Sequence, residues 1–279
     1  MRTPGLVAAA ALATLSCAPA PSPAPVAQVS RPPIEPLVSA PPPVEAHPLP
    51  PTPPPPPAPL PRPTTRQTLR GESGHVVEVY PPLEASALLP AASAPLVVFL
   101  HATCMEPADV CDFWSAGARD NNFLVCPAGP STCYGAPDWS GPAKLKADTL
   151  DAALIAVDGT YGAWVDHARG DVLIGYSRGA FAARDILYER GGRFRGLILL
   201  SAAVSPDPAR LKAAGIRRAV MATGDLDGSR PVMKRAVQTL EAAGIPTRFV
   251  SLGRIGHWLP RDLESILRDA IAWVETPLS

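Results

Sequence analysis

From about residue 75 onward, short apolar runs alternate with longer segments whose apolar residues recur every three or four positions. Short apolar runs are typical of buried strands, whereas spacings of three and four place apolar side chains on one face of a helix. The predicted strands are 75–80, 95–100, 122–126, 171–174, 195–201, 218–223 and 247–252. The predicted helices are 108–120, 144–161, 178–190, 231–243 and 261–275. This alternation predicts an α/β fold with a mostly parallel central sheet and helices on both faces.

The first residues have the pattern of an export signal. Arg2 precedes an apolar run, Leu6 to Leu15, that is too short to span a bilayer. The run ends in Thr14-Leu15-Ser16-Cys17, which resembles a bacterial lipoprotein box, although Thr14 stands where that box prefers leucine. We therefore expect a signal peptide over 1–16 and an exported protein whose Cys17 carries lipid and anchors it to a membrane of the bacterial cell envelope. A secreted protein with an unmodified Cys17 is the alternative.

Proline is concentrated directly after this signal. The stretch 19–63 holds 21 of the 37 prolines, including five consecutive ones at 53–57. It has few large apolar residues and cannot bury enough surface to offset the loss of chain entropy. We predict a disordered, stiff tether over 17–69 and a single folded domain over 70–279. A ligand for proline-binding modules is the other interpretation of this segment.

Charge and histidine placement exclude several functional classes. The 25 basic and 25 acidic residues cancel, which argues against a nucleic-acid-binding protein. The five histidines are scattered and no C-x-x-C pair occurs, so no metal site is predicted. We expect no cofactor.

One motif carries candidate chemistry. Gly175-Tyr176-Ser177-Arg178-Gly179 follows a predicted strand and opens an alanine-rich helix. Glycines on either side of a serine allow a tight, strained turn that exposes the hydroxyl above the sheet. The amides at the start of the following helix favour a developing negative charge. We predict that Ser177 is a nucleophile, the alternative being a glycine-rich turn with an idle serine.

A serine nucleophile needs a base, and the base needs a carboxylate that orients it. His257 follows the last predicted strand, and Asp225 and Asp227 follow the strand before it. Carboxyl ends of parallel strands are where such sheets build their sites. The prediction is a triad in the chain order Ser177, Asp227, His257, with Asp225 as the alternative acid.

This order and the motif around Ser177 resemble the α/β-hydrolase superfamily over about residues 75 to 279. The resemblance implies the α/β-hydrolase fold and an oxyanion hole formed by the backbone amides of Thr103 and Arg178. It also implies that His101 supports the loop as a structural residue, and Ala102 replaces the family's usual glycine. The connection 202–216 is too short for the lid of many members, so we expect no separate cap domain and an open site.

Four cysteines remain in the predicted domain: Cys104, Cys111, Cys126 and Cys133. An even number in an exported domain suggests two disulfides, from three possible pairings. Their equal short spacings favour Cys104–Cys111 and Cys126–Cys133, with four buried thiols as the alternative. Four aromatic residues are candidates to line the pocket, with ordinary packing as the alternative: Trp139, Trp258, Phe113 and Tyr176.

The predicted function is a serine hydrolase that cleaves a small-molecule or accessible polymeric carboxylic ester through an acyl-enzyme on Ser177. Two other classes stay open. One is a peptidase of the prolyl oligopeptidase type, which uses the same triad. The other is a non-catalytic surface protein that uses a hydrolase scaffold for binding.

Overall fold

The computed structural model describes residues 64–72, 74–83 and 93–277. The predicted signal peptide, Cys17 and nearly all of the predicted tether lie outside these residues. The strands are β1 (Gln67–Arg70), β2 (Val76–Tyr80), β3 (Leu96–Leu100), β4 (Phe123–Pro127), β5 (Ser131–Cys133), β6 (Ala136–Asp138), β7 (Asp171–Tyr176), β8 (Phe194–Leu200), β9 (Arg218–Thr223) and β10 (Thr247–Ser251). The α-helices are α1 (Pro107–Ala118), α2 (Ala143–Tyr161), α3 (Arg178–Glu189), α4 (Pro208–Ala213), α5 (Arg230–Ala242) and α6 (Leu263–Glu275).

Eight of these strands form one sheet in the order β1-β2-β4-β3-β7-β8-β9-β10. The pairs β1–β2 and β2–β4 are antiparallel, and all other neighbours in this sheet are parallel. The predicted mostly parallel sheet is therefore confirmed. The strand β1 was not predicted, because it carries one large apolar side chain, Leu69, and lies at the sheet edge. It begins at Gln67 rather than at Arg70, where the domain was predicted to start.

Helices cover both faces of the sheet, as predicted. Consecutive side chains of a strand point to opposite faces, and in β3 the residues Val98 and Leu100 contact one core cluster while Val97 and Phe99 contact the other. The first cluster includes buried side chains of α2, α3, α4 and α5, and the second those of α1 and α6. Each face of the sheet thus has its own apolar core.

The parallel strands bring the predicted site residues to one edge. The carboxyl ends of β3, β7, β9 and β10 meet there, and the chain order reverses at β3, whose neighbours are β4 and β7. The connection from β8 to β9 contains only the short helix α4. The described residues therefore build no separate cap domain. Nor do they contain a helix that is both long and apolar enough to cross a bilayer.

Candidate active site

Ser177 occupies a sharp turn between β7 and α3. Its backbone has φ 53° and ψ −112°, which places it in the left-handed half of conformational space that non-glycine residues rarely adopt. A Cβ atom on Gly175 would lie 2.4 Å from the carbonyl oxygen of Gly179, and one on Gly179 would lie 2.0 Å from that of Leu100. Both glycines are therefore required by space, which explains the motif.

The structure brings together three predicted residues that lie far apart in the sequence. The Oγ atom of Ser177 lies 2.9 Å from Nε2 of His257, and Nδ1 of His257 lies 2.9 Å from Oδ2 of Asp227. Because a carboxylate only accepts hydrogen bonds, Nδ1 carries the proton and Nε2 is free to accept from Ser177.

The alternative acid, Asp225, points elsewhere. Its carboxylate accepts a hydrogen bond from the hydroxyl of Ser251 at 2.8 Å and pairs with Arg230 at 3.2 Å. Asp227 is the aspartate that faces His257, and its side chain is nearly buried. Burial by itself would raise the pKa of Asp227, but hydrogen bonds from the backbone amide of Ser229, nearby hydroxyls and His257 hold that pKa below its ordinary value. Asp227 is therefore ionised at neutral pH.

Two of the four aromatic candidates pack inside the protein and do not line a pocket. Tyr176 is almost fully buried, its hydroxyl donates to the carbonyl oxygen of His257 at 3.3 Å, and its ring stacks on His257 with centroids 6.0 Å apart. Trp139 is fully buried against His101. For these two residues the alternative of ordinary packing therefore holds, since Trp139 belongs to one core cluster and Tyr176 to the other. Phe113 and Trp258 are exposed.

The contact from Tyr176 to His257 was missed by sequence reasoning. Tyr176 is the last residue of β7, and its side chain belongs to the core cluster on the face covered by α1 and α6. The only signal for Tyr176 in the sequence was the alternation of side chains along a strand. That alternation does not show that the loop containing His257 packs against Tyr176.

The loop 101–106 between β3 and α1 contains the predicted oxyanion donor. Nδ1 of His101 donates to the carbonyl oxygen of Ala102 at 2.8 Å, and its Nε2 accepts from the amide of Gly129 at 3.1 Å. The amide of Met105 donates to the carbonyl oxygen of Pro137 at 3.3 Å. The hydroxyl of Thr103 accepts from Nε of Arg178 at 3.4 Å. This loop is thus tied to the segment after β4, and Thr103 lies beside the start of α3.

The replacement of glycine by Ala102 requires no strain in this loop. Among the described non-glycine residues, positive φ angles occur at Cys104, Tyr134, Ser177 and Ser201, and not at Ala102. Cys104, with φ 52°, makes the left-handed bend. An alanine therefore fits at 102 because the turn is made two residues later.

The four cysteines form two disulfides, Cys104–Cys133 and Cys111–Cys126. The pairing favoured by sequence spacing is wrong. Cys111 lies on the buried face of α1, which packs on β4, where Cys126 is located. Cys104 lies in the loop that faces the β5–β6 hairpin, which ends its first strand at Cys133. The disulfide partners are set by which helices, strands and loops pack together in the folded protein, and not by closeness along the chain. Two disulfides are typical of proteins exported from a reducing cytoplasm.

Removal of the Cys104–Cys133 disulfide is expected to lower both stability and turnover. The double substitution Cys104→Ala/Cys133→Ala frees the loop that carries Thr103, and we expect kcat to fall about tenfold. The free energy of unfolding should fall by about 3 kcal/mol, because the disulfide closes a long loop. The matched double substitution Cys111→Ala/Cys126→Ala should lower stability by a similar amount with kcat within about twofold. Ester hydrolysis at 25 °C and urea unfolding measure both quantities, and equal kcat for the two variants would contradict the positioning role.

His101 is expected to make the protein less stable in mild acid. Its ring is fully buried, and burial lowers its pKa to about 4, from an ordinary value of 6.5. Because the folded-state pKa lies below the unfolded one, the unfolded chain binds more protons between pH 6.5 and 4, and stability falls as pH drops through this window. From pH 7 to pH 5 the loss from this residue is about 2 kcal/mol. The free energy of unfolding, measured with urea at pH 7 and at pH 5, should differ less between the two pH values in His101→Phe than in the parent protein. An equal difference in both proteins would refute the assignment of this pH dependence to His101.

Among the residues that the structure describes, no group of three or more histidine, cysteine, aspartate or glutamate side chains is arranged to hold a metal ion. The chemistry available at this edge of the sheet is that of the serine, the imidazole, the carboxylate and the backbone amides around them.

Comparison with known proteins gives structural matches only. No protein-family model and no curated protein matches this sequence. The fluorophosphonate-binding serine hydrolase F of Staphylococcus aureus is 14% identical, with a TM-score of 0.57 over 76% of this chain and 98% of that chain. A ferulic acid esterase is 16% identical, with a TM-score of 0.57 over 76% and 96% of the two chains. A carboxylesterase of Bacillus cereus is 15% identical, with a TM-score of 0.53 over 73% and 96%.

At these identities the likeness concerns the fold and not the activity. The likeness extends over about three quarters of this chain and nearly the whole of each neighbour. The chain therefore has the α/β-hydrolase fold.

Proposed function

We propose that this protein is a serine hydrolase that cleaves carboxylic esters through an acyl-enzyme on Ser177. The observation that carries the proposal is the continuous hydrogen-bonded series from Ser177 through His257 to Asp227, on a strained turn at the carboxyl edge of the sheet. The esterases among the structural neighbours support the same reaction class by analogy of fold.

In the first step, Nε2 of His257 takes the proton of the Ser177 hydroxyl while Oγ attacks the ester carbonyl carbon. The imidazole becomes positively charged, and the ionised Asp227 stabilises that charge through Nδ1. His257 then gives the proton to the leaving alcohol, and the acyl group stays on Ser177. A water molecule, activated by the same imidazole, attacks the acyl carbonyl carbon and releases the acid.

The negative charge of the tetrahedral intermediate needs donors on the opposite side of the carbonyl from His257. Arg178 is the first residue of α3, so its amide belongs to the helix-terminal group that has no acceptor within the helix. Thr103 lies beside it, through the contact of its hydroxyl with the Arg178 side chain. We assign the oxyanion hole to the backbone amides of Thr103 and Arg178, each worth roughly 3 kcal/mol of the barrier.

The cellular placement is also a proposal. Two disulfides support export, and we propose that a lipid on Cys17 anchors the exported protein to a membrane. Expression in a bacterium, followed by mass spectrometry of the N-terminal peptide, tests this. A diacylglyceryl group on Cys17 is the expected result, and an unmodified Cys17 at or near a cleaved terminus would favour secretion instead.

The purified full-length protein tests the catalytic proposal. It should hydrolyse p-nitrophenyl acetate and butyrate, and a fluorophosphonate should label one serine per chain, in the peptide that contains Ser177, and abolish hydrolysis. The same preparation is assayed on p-nitroanilide peptides. Cleavage of the peptides without ester hydrolysis would replace the proposal by a peptidase, and a folded protein that neither turns over esters nor reacts with the probe would favour a binding protein.

A further inference from the structure

Several large exposed apolar side chains belong to segments that also carry, or are bonded to, the candidate site residues. Among the described residues, six such side chains are exposed: Phe113, Tyr134, Leu145, Ile155, Leu226 and Trp258. Leu226 directly precedes Asp227, and Trp258 directly follows His257. Tyr134 follows Cys133, whose disulfide partner Cys104 lies in the loop with Thr103. Scattered exposed apolar residues need no explanation, but a group of them at one place indicates a binding surface.

A groove next to the triad has the same character. Its volume is about 550 Å³, and its walls include Met105, Val110, Phe113 and Leu259, with Glu106 and Asp109 also lining it. Leu259 is two residues from His257, so the groove starts beside the triad. Phe113 belongs both to the groove and to the exposed group. We call Phe113, Tyr134, Leu226 and Trp258 together the apolar rim.

No described residue shields this surface. The β8–β9 connection, where a lid would stand, carries only α4. The side chain of His257 is half exposed, and the side chains of Tyr134 and Trp258 are 103% and 74% exposed. These rim side chains contribute little to the core, so folding does not account for their apolar character. Their contact with water is unfavourable in the free protein and would be relieved by contact with an apolar surface.

Exposed charges of both signs surround the candidate site. Glu106 and Asp109 line the groove, Arg178 is the first residue of α3, and Arg254 and Arg261 lie on either side of His257 in the chain; all five are exposed. Charges of opposite sign in one region favour neither an anionic nor a cationic surface. An uncharged, apolar ester is therefore the substrate class that both the rim and the groove fit.

We propose that the apolar rim docks the protein onto droplets of uncharged, water-insoluble esters, and that the groove then takes one acyl chain of such an ester. This inference rests on the proposed function, because it concerns the substrate of the same triad. It predicts that the enzyme works faster on an aggregated ester than on the same ester in free solution.

Tributyrin tests the proposal, since one compound can be offered below and above its solubility limit. Every protein is the full-length chain with Cys17→Ser, so that no lipid contributes to droplet binding. We compare the parent chain, the triple variant Tyr134→Ser/Leu226→Ser/Trp258→Ser and the control Ile155→Ser, whose apolar side chain is also exposed but lies on α2. A milder double variant, Tyr134→Ser/Leu226→Ser, serves if the triple variant does not fold.

The expected result is a rise in rate above the solubility limit for the parent chain and for Ile155→Ser. The ratio of the rate on droplets to the rate on dissolved ester should fall about tenfold in the triple variant, since each rim side chain loses apolar contact. The ratio cancels any effect of the substitutions on the triad itself.

Flotation of the inactive Ser177→Ala protein with tributyrin droplets measures docking without turnover. If the Ser177→Ala protein with its rim intact and the Ser177→Ala protein with the triple rim substitution float equally, the inference is wrong, whatever the activity. Hydrolysis of dissolved tributyrin without a rise on droplets would also overturn it while leaving the proposed function intact. Failure to hydrolyse any ester would instead count against the proposed function.

Discussion

Replacement of Ser177 by alanine is expected to lower kcat for p-nitrophenyl butyrate by roughly 10⁵- to 10⁶-fold while the protein stays folded. The Oγ atom of Ser177 forms the bond to the acyl group in the proposed mechanism, and alanine has no atom that can replace it. Alanine tolerates the backbone at 177 as well as serine does, so thermal unfolding should change little. Initial rates with active-site titration and a melting curve provide the measurement.

Ser201 offers a matched control for this substitution. It also follows a parallel strand and also has a positive φ, of 46°. Its side chain is buried, and its Oγ atom has no hydrogen-bond partner among the described residues. Ser201→Ala should therefore keep kcat within about threefold of the parent. A Ser177→Ala protein with more than about 1% of the parent activity would show that another group is the nucleophile.

Replacement of Asp227 by asparagine is expected to lower kcat by about 10⁴-fold. The amide keeps the size of the side chain but removes its charge. The side-chain amide of asparagine can either donate a hydrogen bond to Nδ1 of His257 or accept one from it. The tautomer in which Nδ1 carries the proton and Nε2 accepts from Ser177 is therefore no longer enforced. The charge that stabilises the imidazolium disappears as well. Both the magnitude of kcat/KM for butyrate hydrolysis and its pH dependence should change. A loss of folded protein alone would lower the magnitude without changing the pH dependence.

Asp225→Asn is the control for Asp227→Asn, since both residues lie in the turn after β9. Asp225 interacts with Ser251 and Arg230 and not with His257. We expect kcat for Asp225→Asn within about threefold of the parent, with a loss of stability below about 1 kcal/mol for a partly exposed ion pair. A larger loss of kcat in Asp225→Asn than in Asp227→Asn would reverse the assignment of the acid.

The pattern of apolar residues along the chain predicted the buried strands of the sheet but not all of the smaller elements. The buried strands of the sheet have continuous apolar runs, such as Leu96–Leu100 and Phe123–Pro127, and these were placed within one or two residues of their observed ends. The edge strand β1 and the hairpin of β5 and β6 were not predicted. Their stability comes from backbone pairing with neighbours, and their side chains are mostly polar or exposed, so the pattern has no signal for them.

The chain order of the site residues was predictable for a similar reason. Ser177, Asp227 and His257 each follow a predicted strand, and parallel strands deliver their carboxyl ends to one edge of the sheet. What the pattern left open was the choice between Asp225 and Asp227. That choice depends on which carboxylate faces the imidazole, and it is made by the turn at 224–229, where the amide of Ser229 holds Asp227 in place.

The sequence by itself thus determined the α/β architecture, the strained serine turn and the set of residues available for acid–base chemistry. These follow from local properties: the period of apolar residues, the need for glycine at 175 and 179, and the position of polar residues after strands. Only the tertiary structure decided the disulfide partners, the support of His257 by Tyr176 and which large apolar side chains beside the triad stay exposed. Each of these depends on which faces of distant segments meet, and that is set by the packing of helices on the sheet rather than by spacing along the chain.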